Sequence, residues 1–143
     1  MGSLFESALF GPLVLRNSVF MAPLTRNRAN ADGVTSELAV QYYTQRASAG
    51  LIITEATQIS TMGKGYIKSP GIHSPEQIVT WRRIVDAVHE NGGRMSLRLW
   101  HVGRISHSSL LPNHAQPLAP SAIRANSQTF SATGRVQVSE RLH

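Results

Sequence analysis

Three apolar runs separated by two helical patterns constrain the fold of this chain more than any other feature. The runs span residues 18–25, 51–57 and 94–101, and each ends in polar residues. The order strand–helix–strand–helix–strand predicts parallel strands joined by right-handed crossovers, as in α/β proteins. Parallel α/β enzymes place their ligands at the carboxyl ends of strands, so the residues that follow each run are the first candidates for a site.

The second helix has the clearest sequence signals. Residues 74–77 read Ser-Pro-Glu-Gln, which is a capping box with proline at the first helical position. Two glycines, Gly92 and Gly93, end the helix. Its apolar stripe at helical spacing consists of Ile78, Trp81, Ile84, Val85 and Val88.

The first helix is predicted between a cap at Thr35 or Ser36 and a stop at Gly50. Its apolar side is expected to carry Leu38, Tyr42 and Ala49.

Three other segments have simpler patterns. Residues 4–17 are predicted to form a hairpin around a Gly-Pro turn. Residues 94–100 alternate, which places Met95, Leu97 and Leu99 on one face of the third strand and Ser96, Arg98 and Trp100 on the other. Residues 102–143 show little periodicity, although residues 127–138 have the pattern of a weak hairpin.

Composition argues against several classes of function. No apolar run approaches the roughly 18 residues of a membrane span, and residues 1–6 lack the basic and apolar parts of a signal peptide. Cysteine is absent, which excludes disulfides and thiolate chemistry and agrees with a cytoplasmic protein. The net charge of +6 would suit nucleic acid, but the basic residues are scattered and no aromatic platform accompanies them. We therefore expect no membrane or nucleic-acid partner.

Known catalytic and metal motifs are also missing. His101 and His107 match no helical ligand spacing and have no carboxylate cluster beside them, so no metal site is predicted. The sequence contains no Gly-x-Gly-x-x-Gly, Walker or Gly-x-Ser-x-Gly motif. Taken singly, the strings after the strands have ordinary explanations: Pro23 can end a strand, Thr25 can start a turn, and Ala56 is common at a strand end. Alternatively, these residues hold a planar ligand.

Taken together, the strings resemble the old yellow enzyme family of FMN-dependent ene-reductases over about residues 4–120. The resemblance implies an eight-stranded (β/α) barrel in which NAD(P)H reduces FMN and the flavin passes hydride to the β-carbon of an activated alkene. The shared strings are Ala22-Pro-Leu-Thr-Arg26, Tyr42-Tyr43, Gln45-Arg-Ala-Ser-Ala-Gly-Leu-Ile-Ile53, Glu55-Ala-Thr57, Gly65-Tyr66, Pro70-Gly71, Leu99-Trp-His101 and Gly103-Arg104.

The predicted fold is therefore a partial (β/α)8 TIM barrel, the N-terminal portion of a single FMN-binding domain. It would comprise an N-terminal hairpin over residues 1–17, the first three strands and two helices over residues 18–101, and an irregular loop region over residues 102–143.

The resemblance also implies a set of flavin contacts. The backbone of Pro23 and Leu24 would lie against the flavin, the Thr25 hydroxyl would hydrogen-bond its C4 carbonyl, and Ala56 would line its edge. Arg98 stands where the family usually has glutamine, and strand alternation turns it toward the barrel interior. Arginine can donate to the flavin and favour its anionic reduced form, but it is a costly core residue without a bound anion.

Substrate contacts are implied for Tyr66 and Trp100, which would form part of the pocket wall. No catalytic residue is assigned, because the family's substrate-anchoring His/Asn or His/His pair, its proton-donating tyrosine, its second flavin-binding arginine and its phosphate site are all expected later than residue 143.

Three strands cannot close a barrel that needs roughly 250 residues, and the first and third strands would have open edges. The expectation is that this chain alone is not a competent ene-reductase. It would be a fragment, or a half-barrel that requires a complementary chain or self-association. Two alternatives remain open at this point, a non-catalytic binding module and a flavin barrel related to dienoyl-CoA reductases.

Overall fold

A computed structural model describes residues 3–139 and shows strands and helices in the predicted alternation. The helices are α1 (Glu37–Thr44) and α2 (Pro75–Glu90), and three single 3-10 turns occur at residues 61–63, 108–110 and 112–114. The strands are β1 (Ala8–Phe10), β2 (Leu13–Leu15), β3 (Phe20–Met21), β4 (Leu51–Ile53), β5 (Thr57–Gln58), β6 (Met95–Ser96), β7 (Leu99–Trp100), β8 (Gln128–Ser131) and β9 (Gly134–Gln137).

The central sheet is parallel and has the order β3–β4–β6. A second parallel pair, β5 with β7, continues the second and third predicted strands beyond a short interruption. The predicted N-terminal hairpin is present as β1 and β2, with Gly11 at a φ of +57° in the turn. Residues 1–2 of that predicted segment lie outside the described residues.

The interruption in the second strand is a bulge. Ile53 pairs with Ser96 and Thr57 pairs with Leu99, so three residues on one strand face two on the other. The predicted alternation of the third strand therefore holds only in part. Met95 and Leu97 pack on the core and Ser96 and Arg98 are exposed, but Leu99, beyond the interruption, is 62% exposed. Bulges of this kind bend a strand and redirect its side chains.

The core lies between the central sheet and the two helices. Tyr43, Trp81 and Ile52 are buried at its centre, and the Trp81 indole donates to the Gly71 carbonyl at 3.0 Å. The predicted stripe of α2 is correct for Trp81, Ile84 and Val88, while Ile78 is 44% exposed. Gln77 is buried instead, because its side-chain amide completes the capping box and also donates to the Asp32 carbonyl at 2.7 Å.

The prediction for α1 is correct for Tyr42 and Ala49, which pack against the core, and wrong for Leu38 and for the end of the helix. Leu38 is 72% exposed, and the helix ends at Thr44 rather than at Gly50. Ala39 and Tyr43, four residues apart, are the buried pair. Tyr43 takes this position because its ring packs against the core and its hydroxyl finds buried hydrogen-bond partners there.

The region predicted as irregular, residues 102–143, contains the antiparallel pair β8 and β9 within the predicted weak hairpin. The hairpin is attached to the loop before α2, since Phe130 bridges Tyr66 and accepts a hydrogen bond from the Ile67 amide at 3.2 Å. Residues 140–143 lie outside the described part of the chain.

Candidate functional site

The residues implied as flavin contacts lie at the carboxyl ends of three adjacent strands. Pro23 and Thr25 follow β3 and are half-buried, while Leu24 is 62% exposed. Ala56 lies in the bulge and is 1% exposed. Extending the Thr57–Leu99 register by one residue places Ala56 opposite Arg98, whose side chain is exposed. A ligand would therefore reach Arg98 and Leu24 directly, whereas Ala56 is covered in this structure.

Threonine hydroxyls fix the conformation of the bulge. The Thr54 hydroxyl accepts from the Arg98 amide and donates to the Glu55 carbonyl, both at 3.0 Å. The Thr57 hydroxyl donates to the same carbonyl at 3.0 Å, and the Thr57 amide donates to the Arg98 carbonyl at 2.9 Å. These bonds hold the backbone of Glu55, Thr57 and Arg98, and therefore hold Ala56, which lies between Glu55 and Thr57, beside Arg98.

A buried ion pair joins the first strand end to the second. Arg26 Nη2 lies 2.6 Å from Glu55 Oε1, and the Arg26 main-chain amide donates to Glu55 Oε2 at 3.1 Å. Glu55 is 3% exposed, and its own amide donates to the Tyr43 hydroxyl at 3.1 Å. These contacts tie the segment containing Thr25 to the one containing Ala56.

Aromatic rings hold the arginine of this pair. The Arg26 guanidinium lies 3.6 Å from the centre of the Tyr42 ring, and the Arg46 guanidinium lies 4.0 Å from the same ring. Burial raises the pKa of the Tyr43 phenol to about 12, with a smaller contribution from the nearby Glu55 carboxylate. Tyr43 therefore stays protonated and can donate to, as well as accept from, its neighbours.

The residues implied as substrate contacts are close to each other. The rings of Tyr66 and Trp100 have centroids 5.5 Å apart. Phe130 from β8 contacts Tyr66 edge-on, also at 5.5 Å. Sequence reasoning did not single out Phe130, because nothing in a weak hairpin pattern indicates which distant loop it covers.

Sequence reasoning also gave no role to Glu55 or Arg26. A signal for Glu55 was present, since an acidic side chain in an almost continuously apolar run is costly to bury unless a partner is near. No sequence signal indicated that Arg26 is that partner.

The donor set fits the polar edge of a flavin. Within residues 3–139 neither the Thr25 hydroxyl nor the Arg98 guanidinium makes a hydrogen bond, so both remain available to a ligand. Hydroxyl and guanidinium groups are donors, and the pyrimidine carbonyls of FMN are acceptors. Arg98 is exposed on the sheet face away from the helices, so its charge is solvated in this structure.

Other kinds of site find little support in residues 3–139. No group of three or more His, Asp or Glu side chains in that part of the chain could hold a metal ion. His101 Nδ1 accepts from the Gly103 amide and His107 Nδ1 accepts from the Ser109 amide, so both have local structural contacts. In the same part of the chain, neither helix has the length and apolar content needed to cross a membrane.

The sequence model of the NADH:flavin oxidoreductase / NADH oxidase family matches residues 3–141. The chain belongs to this family. The resemblance to old yellow enzymes is thus confirmed, and with it the family's cofactors, FMN and a reduced nicotinamide nucleotide.

Individual relatives agree in sequence and in fold. The chain is 46% identical over 110 residues to 12-oxophytodienoate reductase 1 of Oryza sativa subsp. japonica, which is 76% of this chain and 29% of that protein. It superposes on morphinone reductase in complex with tetrahydroNAD with a TM-score of 0.89 and 46% identity, over 97% of this chain and 40% of that one. For the old yellow enzyme homologue from Zymomonas mobilis the TM-score is 0.90 at 44% identity, over 96% and 38% of the two chains.

These comparisons confirm the predicted fold class, a part of a TIM barrel. They also give its extent, because the chain spans between 29% and 40% of the length of these three proteins.

Proposed function

We propose that this chain supplies the first three strands of an FMN-binding oxidoreductase of old yellow enzyme type, which reduces activated alkenes at the expense of NAD(P)H. The observation that carries the proposal is the convergence of Thr25, Ala56 and Arg98 at adjacent parallel strand ends whose register the bulge fixes. Family membership of the chain supports the same cofactor.

Each residue at the strand ends has a proposed role toward the flavin. The backbone of Pro23 and Leu24 provides a surface for the ring, the Thr25 hydroxyl donates to the C4 carbonyl, and Ala56 leaves room at the ring edge. Arg98 donates to the pyrimidine carbonyls, and its charge favours the reduced anion. When bound, FMN supplies the hydride transfer chemistry.

Tyr66 and Trp100 are proposed as one wall of the substrate pocket. Their tilted rings, 5.5 Å apart, present an aromatic surface suited to a flat conjugated alkene. A cytoplasmic location belongs to the same proposal and is supported by the lack of cysteine.

The test is flavin retention by the 143-residue chain. The purified protein is mixed with FMN and desalted, and the visible absorption band is measured. We expect Thr25→Ala to weaken FMN binding about tenfold through loss of one hydrogen bond, and Thr61→Ala, at an exposed site, to have no effect.

Arg98→Gln should preserve or improve FMN retention in the same measurement. A clear loss with Arg98→Gln would show that Arg98 is an adapted flavin ligand rather than a tolerated substitute.

A second candidate is a half-barrel that binds flavin only with a complementary chain. It is favoured by the open edges of β3 and β6, which have no further strand beside them within the described residues. Isolated, the chain would then be colourless after desalting and catalytically inactive. Mixing it with the part of the Zymomonas mobilis homologue that it does not cover should restore the flavin band. If the mixture also stays colourless, this candidate is wrong.

A further inference from the structure

Glu55 is an acidic side chain buried within the second strand. At 3% exposure, a carboxylate is expensive to desolvate unless charged or hydrogen-bonding groups surround it. The partners come from two other parts of the fold, Arg26 after β3 and Tyr43 in α1. Glu55 is thus placed to connect segments that are far apart in sequence.

Of the two hydrogen bonds from Arg26 to Glu55, the one from the main-chain amide is the more informative. The paired part of β3 ends at Met21, four residues before Thr25. Beyond it, within residues 3–139, the contacts of Arg26 with Glu55 are the next hydrogen bonds between this segment and the second strand. The bond at 3.1 Å from the Arg26 amide holds the backbone directly after Thr25.

We infer that Glu55 is a positioning residue for the flavin site, which acts by holding the Thr25 backbone at a fixed place relative to Ala56. The inference rests on the proposed function, since Thr25 and Ala56 are the flavin contacts proposed above. Arg26 follows Thr25 and Glu55 precedes Ala56 in the chain, so a single ion pair couples both contacts. Supporting contacts of this kind keep binding groups in their productive geometry.

The two partners differ in what they contribute. The amide that donates to Glu55 belongs to the backbone, so it persists whatever side chain occupies position 26. Lysine at position 26 would keep the charge but lose the planar stacking on Tyr42 at 3.6 Å. The carboxylate, in contrast, supplies a separate acceptor oxygen and negative charge to both bonds, and glutamine would keep only one uncharged acceptor. Changes at Glu55 should therefore disturb the Thr25 segment more than Arg26→Lys does.

The experiment is amide hydrogen exchange by NMR on the flavin-free chain. In Glu55→Gln we expect exchange of the Arg26 amide to accelerate about tenfold, the effect of losing one charge-assisted hydrogen bond, while amides of α2 keep their rates. Arg26→Lys should retain most of the protection. Glu37→Gln, which removes the exposed ion pair to Arg83, is the matched control and should change nothing at Arg26.

One further variant and two further readouts keep the outcome decisive. If Glu55→Gln also exposes the amides of α2, Glu55→Asp replaces it, since a shorter carboxylate keeps the charge but withdraws from the Arg26 amide. In flavin-loaded samples, the dissociation constant of FMN should rise about tenfold and the visible absorption maximum should shift in the Glu55 variants only.

Either of two results would overturn the inference. The first is an Arg26 amide that is unprotected in the wild type or unaffected in both Glu55 variants. The second is faster exchange with an unchanged flavin spectrum and affinity, which would leave Glu55 a purely structural residue. A wild-type chain that retains no flavin even with the complementing part of the Zymomonas mobilis homologue contradicts the proposed function instead, and the exchange comparison then decides the positioning claim alone.

Discussion

Tyr43 combines packing and hydrogen bonding in a fully buried side chain. Its ring lies 6.0 Å from that of Trp81 and 5.1 Å from that of Tyr42. Its hydroxyl accepts from the Glu55 amide at 3.1 Å and lies 3.4 Å from the Glu55 carboxylate. The phenol has to remain neutral in this setting, because burial opposes its ionisation.

The raised pKa of Tyr43 predicts a loss of stability at alkaline pH. The folded phenol has a pKa of about 12 against 10.0 unperturbed, so the folded state holds the proton more tightly. This contribution is complete below pH 10 and is lost as the pH rises through 12. We expect the wild type to lose on the order of 2 kcal/mol more than Tyr43→Phe across this window in denaturant unfolding. Equal pH slopes for the two proteins would contradict the assignment.

Tyr42→Phe is the matched control for this comparison. Its ring is half-buried beside Tyr43, and within residues 3–139 its hydroxyl makes no hydrogen bond. Tyr42→Phe leaves the contacts of the Tyr43 hydroxyl with Glu55 in place, so it should keep the alkaline loss of stability that Tyr43→Phe lacks.

At the scale of the elements, the two helices begin differently although serine precedes both. The Ser74 hydroxyl accepts from the Gln77 amide at 3.3 Å, and the Gln77 side chain accepts from the Ser74 amide at 3.1 Å. Ser36, at the start of α1, makes no side-chain capping bond. Only the second serine therefore satisfies an otherwise unpaired helix amide.

This difference predicts unequal costs for two matched substitutions. Ser74→Ala should lower the free energy of unfolding by about 1 kcal/mol, and Ser36→Ala by no more than a few tenths. Urea denaturation followed by the fluorescence of the chain's two tryptophans would measure both. If the two variants are equally destabilised, the capping box of α2 does not contribute as the structure indicates.

The same two helices show which parts of the fold could be predicted from sequence. The capping box and stripe of α2 are local signals, and they located the helix correctly. The buried face of α1 depends on which side chain meets α2 and Glu55. The sequence prediction therefore placed Leu38 on that face and missed Tyr43. The bulge at residues 54–56 follows from a mismatch between two strands, which neither strand reveals alone.

For the candidate site, sequence and structure contributed different information. The sequence motifs after the strands led to the family, which the family match confirms. They also led to the residue roles, which remain proposals. The structure added the ion pair of Arg26 and Glu55 and the placement of Phe130 on Tyr66, because both are contacts between residues distant in sequence.

At the scale of the whole molecule, the face of the parallel sheet away from the helices is mixed, since β6 exposes Ser96 and Arg98 there and β3 exposes an apolar side chain. Phe20 of β3 is 38% exposed there and meets Phe10 of the hairpin edge-on, with ring centroids 5.3 Å apart. Parallel sheets in proteins are normally covered on both faces. Together with the open edge of β3, this surface favours association with another chain.

We therefore expect the isolated chain to self-associate, and Phe20→Lys to reduce this because a charge at the sheet edge opposes pairing. Ile123→Lys is the control, since Ile123 is 65% exposed in a loop outside the sheet. Sedimentation velocity over a range of concentrations would compare the three proteins. Phe20→Lys can also be mixed with the complementing part of the Zymomonas mobilis homologue. If Phe20→Lys abolishes self-association and the mixture recovers no flavin band, the same surface serves self-association and association with the complementing part. If Phe20→Lys sediments like the wild type, association occurs elsewhere and the open edge of β3 is not the reason for it.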